Sequence, residues 1–119
     1  MDPLHLTLYC EFQNNPISNN IKFFLRPILP DDIKTIKLVY RPKKESEFRS
    51  LQMNVQTDSL PSYQITIYEA PAGLRIEFFF IVKFVDGSEK LLKSHGHNID
   101  YTILKSHTTT LRMDLTLES

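Results

Sequence analysis

The sequence contains no tryptophan, a single cysteine and three glycines in 119 residues. Each shortage removes a class of explanation. With Cys10 alone, no disulfide can close within the chain and no multi-cysteine metal site can form, so the fold must stand on its apolar core. Long hydrophobic runs are missing as well: the most apolar stretch, Phe78 to Val82, is bounded by Glu77 and Lys83, far short of the roughly 18 to 20 residues of a membrane helix. Charge of one sign is also lacking. Fourteen Lys and Arg balance fourteen Asp and Glu, whereas a nucleic-acid binder carries a basic excess that displaces condensed counterions. Neither nucleic-acid binding nor membrane insertion is therefore expected. Met1, Asp2, Pro3 and Leu4 do not have the basic and then apolar character of a secretory leader, which gives a cytoplasmic expectation.

What is present is globular. Apolar residues at 41% and charged residues at 24% match folded domains rather than disordered chains, and the length suits one domain over residues 1–119.

Period-2 alternation organises the chain and puts successive side chains on opposite faces of a sheet. Leu4, Leu6, Leu8, Cys10 and Phe12 alternate with polar residues in a first strand, where Cys10 reads as a buried, inert packing residue. A second strand spans about Ile21 to Ile28, and a third carries Ile36, Leu38 and Tyr40 on one face. Leu51, Met53 and Val55 read as a fourth, and Tyr63, Ile65 and Ile67 as a fifth. The longest runs from Leu74 to Val85, with Ile76, Phe78, Phe80, Val82 and Phe84 on one face. Asp86-Gly87 then signals a hairpin, so that Ser88 to Lys93 returns antiparallel. Ile99, Tyr101 and Ile103 follow, and Leu111, Met113, Leu115 and Leu117 mark a last strand. About seven to nine strands without a helical period predict an all-β antiparallel two-sheet sandwich, with Phe78, Phe80, Val82, Leu38, Leu6 and Ile65 sharing its core.

The central segments "IKLVYRP" from Ile36, "FRSLQM" from Phe48, "SYQITIY" from Ser62 and "GLRIEFFFIVKFVDG" from Gly73 resemble the immunoglobulin-like and fibronectin-type-III-like sandwich over about residues 36–87. That resemblance implies an immunoglobulin-like fold of the kind found in accessory domains. It fixes no function, because one fold hosts many.

Catalytic chemistry finds little support. Ser94, Asp100 and Ser106 lie near His95, His97 and His107 in sequence, but all belong to one polar connection, and no enzyme activity or cofactor is expected. His95-Gly96-His97 with His107 is a candidate metal site, lacking a third ligand at a diagnostic spacing. A carbohydrate-binding module is an alternative, weakened by the absence of tryptophan, with Tyr9, Tyr40, Tyr63, Tyr68 and Tyr101 as the available aromatic platforms. Arg41, Lys43, Lys44 and Arg49 form a basic cluster interrupted by Glu45 and Glu47, which reads as a solvated turn.

The more informative feature is a strand apolar on both faces. Phe79, Ile81 and Val85 oppose Phe78, Phe80 and Phe84, and Phe24 and Ile28 double the Ile21, Phe23, Leu25 face in the same way. A solvated antiparallel strand reads apolar on one face only. Either the chain's own Tyr101 to Leu104 covers the second face or another molecule does. The expectation is a non-enzymatic adaptor or accessory domain that binds a protein partner, or forms a homo-oligomer, through this face or an exposed edge strand, with Phe79, Ile81, Val85 and Phe24 as the binding residues.

Overall fold

The computed structural model describes residues 6–14, 19–27, 33–43, 47–56, 62–68, 75–94, 96–102 and 110–118, with the backbone alone for 6–14, 19–20, 26–27, 56, 110–114, 116 and 118. Ten strands fill it: β1 (Leu6–Asn14), β2 (Asn19–Pro27), β3 (Ile33–Pro42), β4 (Arg49–Gln52), β5 (Asn54–Gln56), β6 (Ser62–Ile67), β7 (Arg75–Phe84), β8 (Glu89–Lys93), β9 (Ile99–Thr102) and β10 (Thr110–Glu118). The described residues contain no helix, and hence none long and apolar enough to cross a membrane.

The strands form two antiparallel layers. One has the order β10-β1-β2-β6-β5 and the other β4-β3-β7-β8-β10, with β9 beside β8 along the same edge of β7. Strand β10 belongs to both, since residues 110–115 pair with β1 and residues 116–118 with β8. That strand closes one side of the sandwich. At the other side the chain itself crosses between layers. Leu51, Met53 and Val55, expected as one strand, are divided between β4, which pairs with β3, and β5, which pairs with β6. Met53 is the pivot: it is buried, and its N–H donates to the Ile36 carbonyl at 2.9 Å.

Alternation predicts the core well because the pleat leaves it no freedom. Ile36, Leu38 and Tyr40 of β3 pair with Val82, Phe80 and Phe78 of β7, and Leu92 of β8 pairs with Phe80. From the facing layer Phe23 meets Phe78 edge to face at 5.1 Å and Phe80 at 6.3 Å, and those two rings lie 5.9 Å apart. Such T-shaped contacts add to the burial of the rings themselves. Ile65 is partly buried against this cluster. Leu6 and Cys10 are in register with Leu115 and Phe23 respectively, though their side chains lie outside the described residues.

The hairpin between β7 and β8 forms as the Asp-Gly pair implies. Gly87 has φ +91°, and its N–H donates to the Phe84 carbonyl at 3.0 Å. Asp86 accepts from the Ser88 N–H at 2.8 Å and from the Ser88 hydroxyl at 2.6 Å, fixing the return.

Phe80 is wholly buried at the centre of the aromatic junction. Phe80→Ala is expected to cost about 3 to 5 kcal/mol, read as a lower urea midpoint. An unchanged midpoint would mean that β7 faces the other way.

Candidate functional site

Because both layers turn their apolar rows toward each other, the odd-numbered residues of β7 fall on the outside. In register, Arg41 lies beside Glu77, Val39 beside Phe79, and Lys37 beside Ile81. On the other edge of β7, Asp100 lies beside Glu77, Leu91 beside Ile81, and Glu89 beside Lys83. This outer face has a polar end, an aromatic middle and a lysine-rich end.

At the polar end, Glu77 organises its neighbours. Arg41 donates to Glu77 Oε1 through Nη2 at 3.0 Å and Nε at 3.3 Å, and Asn98 Nδ2 donates to Oε2 at 2.6 Å. The Glu77 side chain keeps only 15% of its exposure, and both of its oxygens are occupied. The Asn98 bond is the main cause holding its carboxyl below the usual range. Partial burial opposes this, and the bonds and charge of Arg41 and the charge of Lys43 reinforce it. Lys43 Nζ also pairs with Asp100 Oδ1 at 3.0 Å across a more open surface.

The aromatic middle is built from a contact distant in sequence. Phe48, 40% exposed, meets Phe79 edge to face at 5.7 Å, and the Arg41 guanidinium stands 4.5 Å from the Phe48 ring centre. Lys93 Nζ stands 5.4 Å from the Phe79 ring centre. Phe79 is thus half-covered by Phe48 and Lys93. Of the segment offered as one alternative cover, Tyr101 pairs with Ile76 and packs on the core side of the sheet. Ile103 and Leu104 lie outside the described residues.

At the lysine-rich end, Ile81 floors a groove of about 240 Å³ whose walls include Lys34, Lys37, Lys83 and Glu89. The ten described strands all belong to the two layers, so none of them lies across this face.

The four expected binding residues do not share one surface. Phe79 and Ile81 are neighbours, but Val85, 63% exposed, stands in the turn beyond β7. Phe24 belongs to β2 in the other layer, where alternation turns it away from the core, and Lys22 Nζ lies 4.7 Å from its ring centre. Alternation identifies outward residues but not the layer that carries them. Of the candidate metal ligands, His95 and His107 lie outside the described residues. His97 is exposed in a tight turn in which its backbone bonds that of Ser94 in both directions. No three His, Cys, Asp or Glu side chains converge among the described residues. The basic cluster is dispersed as well, with Arg41 and Lys43 on acidic partners and Lys44 outside the described residues.

Tyrosines do not assemble a platform among the described residues. Tyr63 is buried, and burial raises its phenol pKa, while Tyr40 and Tyr101 pack on the core. Tyr68, 71% exposed, borders a pocket of about 290 Å³ with Lys22, Asn54 and Gln64 on the other layer. The Tyr9 side chain lies outside the described residues.

No protein-family model matches this sequence, and no curated protein matches it either.

Glu77 sets a pH dependence of known sign. Its folded pKa is depressed, so its contribution is fully present above the unfolded value of about 4.3 and is lost as pH falls through the folded value. Glu77→Gln should be less stable than the parent at neutral pH, with the gap in urea midpoint closing under acid. Parallel curves down to strongly acid pH would contradict this role.

Proposed function

We propose that the chain is a non-enzymatic interaction domain that docks a protein through the outer face of the β4-β3-β7-β8 layer. One observation carries the reading: Phe79 and Ile81 stand outward on β7, a strand in the middle of a sheet, with Phe48 packed against Phe79 and no described strand over them. A sheet face open to water ordinarily shows Thr, Lys or Glu at such positions. A wholly exposed large apolar side chain would forgo roughly 1.5 to 3 kcal/mol of burial; Phe79 and Ile81, which are part-buried, forgo a fraction of that, which an interface recovers. Aromatic anchors with arginine beside them are the composition typical of interface centres, and Arg41 against Phe48 supplies that pairing.

Face docking is favoured over edge docking because the edges are short. The outermost strands of the path, β4 and β5, have four and three residues, too few to template a long added strand. The strand order supports the immunoglobulin-like reading, since β1-β2-β6-β5 and β3-β7-β8 follow the order of the four-strand and three-strand sheets of such domains, with β4 added beside β3. Binding rather than turnover fits a face whose Glu77 cluster is spent on ion pairs and an amide.

A photo-crosslinking amino acid at Phe48, in cells that make the protein, tests the reading. It should give a discrete protein adduct that Ile81→Asp abolishes, while the same probe at Tyr68 on the other layer should not give that adduct. Ile81→Asp should also keep the parent's circular dichroism, because Ile81 borders an open groove, whereas Phe79→Asp should lower the thermal midpoint through loss of the Phe48 contact. Identical adducts from both probe positions, or an adduct indifferent to Ile81→Asp, would contradict docking on this face.

A further inference from the structure

We infer that the groove over Ile81 receives an acidic segment of a different protein, with an apolar side chain of that segment on Ile81 and its carboxylates on Lys34, Lys37 and Lys83. This rests on the docking reading and adds the chemistry of the partner.

The groove owes one of its three lysines to a β-bulge. Ile33 pairs with Phe84, but Thr35 pairs with the adjacent Lys83, so β3 holds one extra residue at that point. A bulge re-aims side chains. Ile33 and Ile36 are both buried although they are an odd number of residues apart, and the residue gained between them leaves Lys34 exposed beside Thr35. Without the bulge, strict alternation would put Lys34 on the same side as Ile36 and Leu38, in the core. With it, Lys34 joins Lys37 and Lys83 around one apolar floor.

These lysines are not neutralised as the other cations of the face are. Arg41 is matched by Glu77 and Lys43 by Asp100, whereas at the groove three lysines meet one carboxylate, Glu89. Glu89 lies opposite Lys83 in register, yet no ion pair joins any of the three lysines to a carboxylate among the described residues. Asp31 and Asp32 precede the bulge in sequence and lie outside the described residues. Among the described lining residues of the groove, three lysines face one carboxylate, although the chain as a whole has no net charge.

That charge selects among occupants. A second copy docked with its two-fold axis through the groove would set lysines against lysines, and with the axis at Phe79 it would set them against the Glu77 and Asp100 end, whose carboxylates already bond Arg41, Asn98 and Lys43. A nucleic acid demands a row of phosphate contacts and places no value on an apolar floor. An acidic peptide with one apolar side chain matches both features, and its carboxylates would steer encounter as well as hold the complex.

Fluorescence anisotropy on the full chain tests this with a labelled twelve-residue probe of Asp and Glu around a central Leu, beside a Lys-for-Glu counterpart and a labelled DNA duplex. The acidic probe should bind saturably and weaken as salt rises. Lys37→Glu combined with Lys83→Glu should weaken it about tenfold or more, as two exposed pairs become repulsions, and replacing the central Leu by Gly should weaken it too. Equal binding of acidic and basic probes would overturn the inference, as would indifference to the double substitution or equal affinity for the duplex. If the Phe48 adduct disappears with Ile81→Asp but persists in the lysine double variant, the docking face stands and the acidic partner falls. If the adduct is indifferent to Ile81→Asp as well, the docking face itself falls.

Discussion

The whole sandwich depends on the contact of Phe23 from one layer with Phe78 and Phe80 from the other. Those three rings set the spacing of the sheets, and every inward residue of β3, β7 and β8 is aligned to them by register. Because side chains alternate strictly, placing Phe78 and Phe80 inward forces Glu77, Phe79 and Ile81 outward. The outer strip is thus a geometric consequence of the core. What the sequence adds is the choice of large apolar residues at two of those outward positions, where the core demands nothing.

That choice is accompanied by local provisions that keep the face tolerable without hiding it. Phe48 and Lys93 shield part of Phe79, and Lys34, Lys37 and Lys83 line the groove around Ile81. Glu77 ties β3, β7 and the Asn98 segment together at the polar end, which holds Arg41 near Phe48. Its cost is visible in Asn98, whose Oδ1 is buried with no hydrogen-bond partner among the described residues. The face is bonded at that end and open at the groove.

The layers, the hairpin and most of the core were legible in the sequence because they follow from period-2 alternation and an Asp-Gly turn. The break at Met53 was not. Leu51, Met53 and Val55 keep the same parity as the chain crosses from β4 to β5, so no local signal marks the crossing, and Val55 emerges largely exposed. The bulge in β3 did leave a trace, in two buried isoleucines at an odd spacing, which strict alternation cannot satisfy. Phe48 against Phe79 and Arg41 against Glu77 are contacts between residues far apart in sequence, and no spacing rule reports them. Phe24 looked equivalent to Phe79 because alternation reads faces and not layers.

The account turns on Ile81 being partly open to solvent in the isolated chain while its inward neighbours are dry, and methyl NMR with a soluble paramagnetic relaxation agent measures this directly. Ile81 methyls should relax strongly, while those of Leu38, Val82 and Leu92, which are fully buried, should be protected. Protection of Ile81 equal to that of Leu38 in a monomeric sample would show that the chain covers this face itself, and would contradict the account.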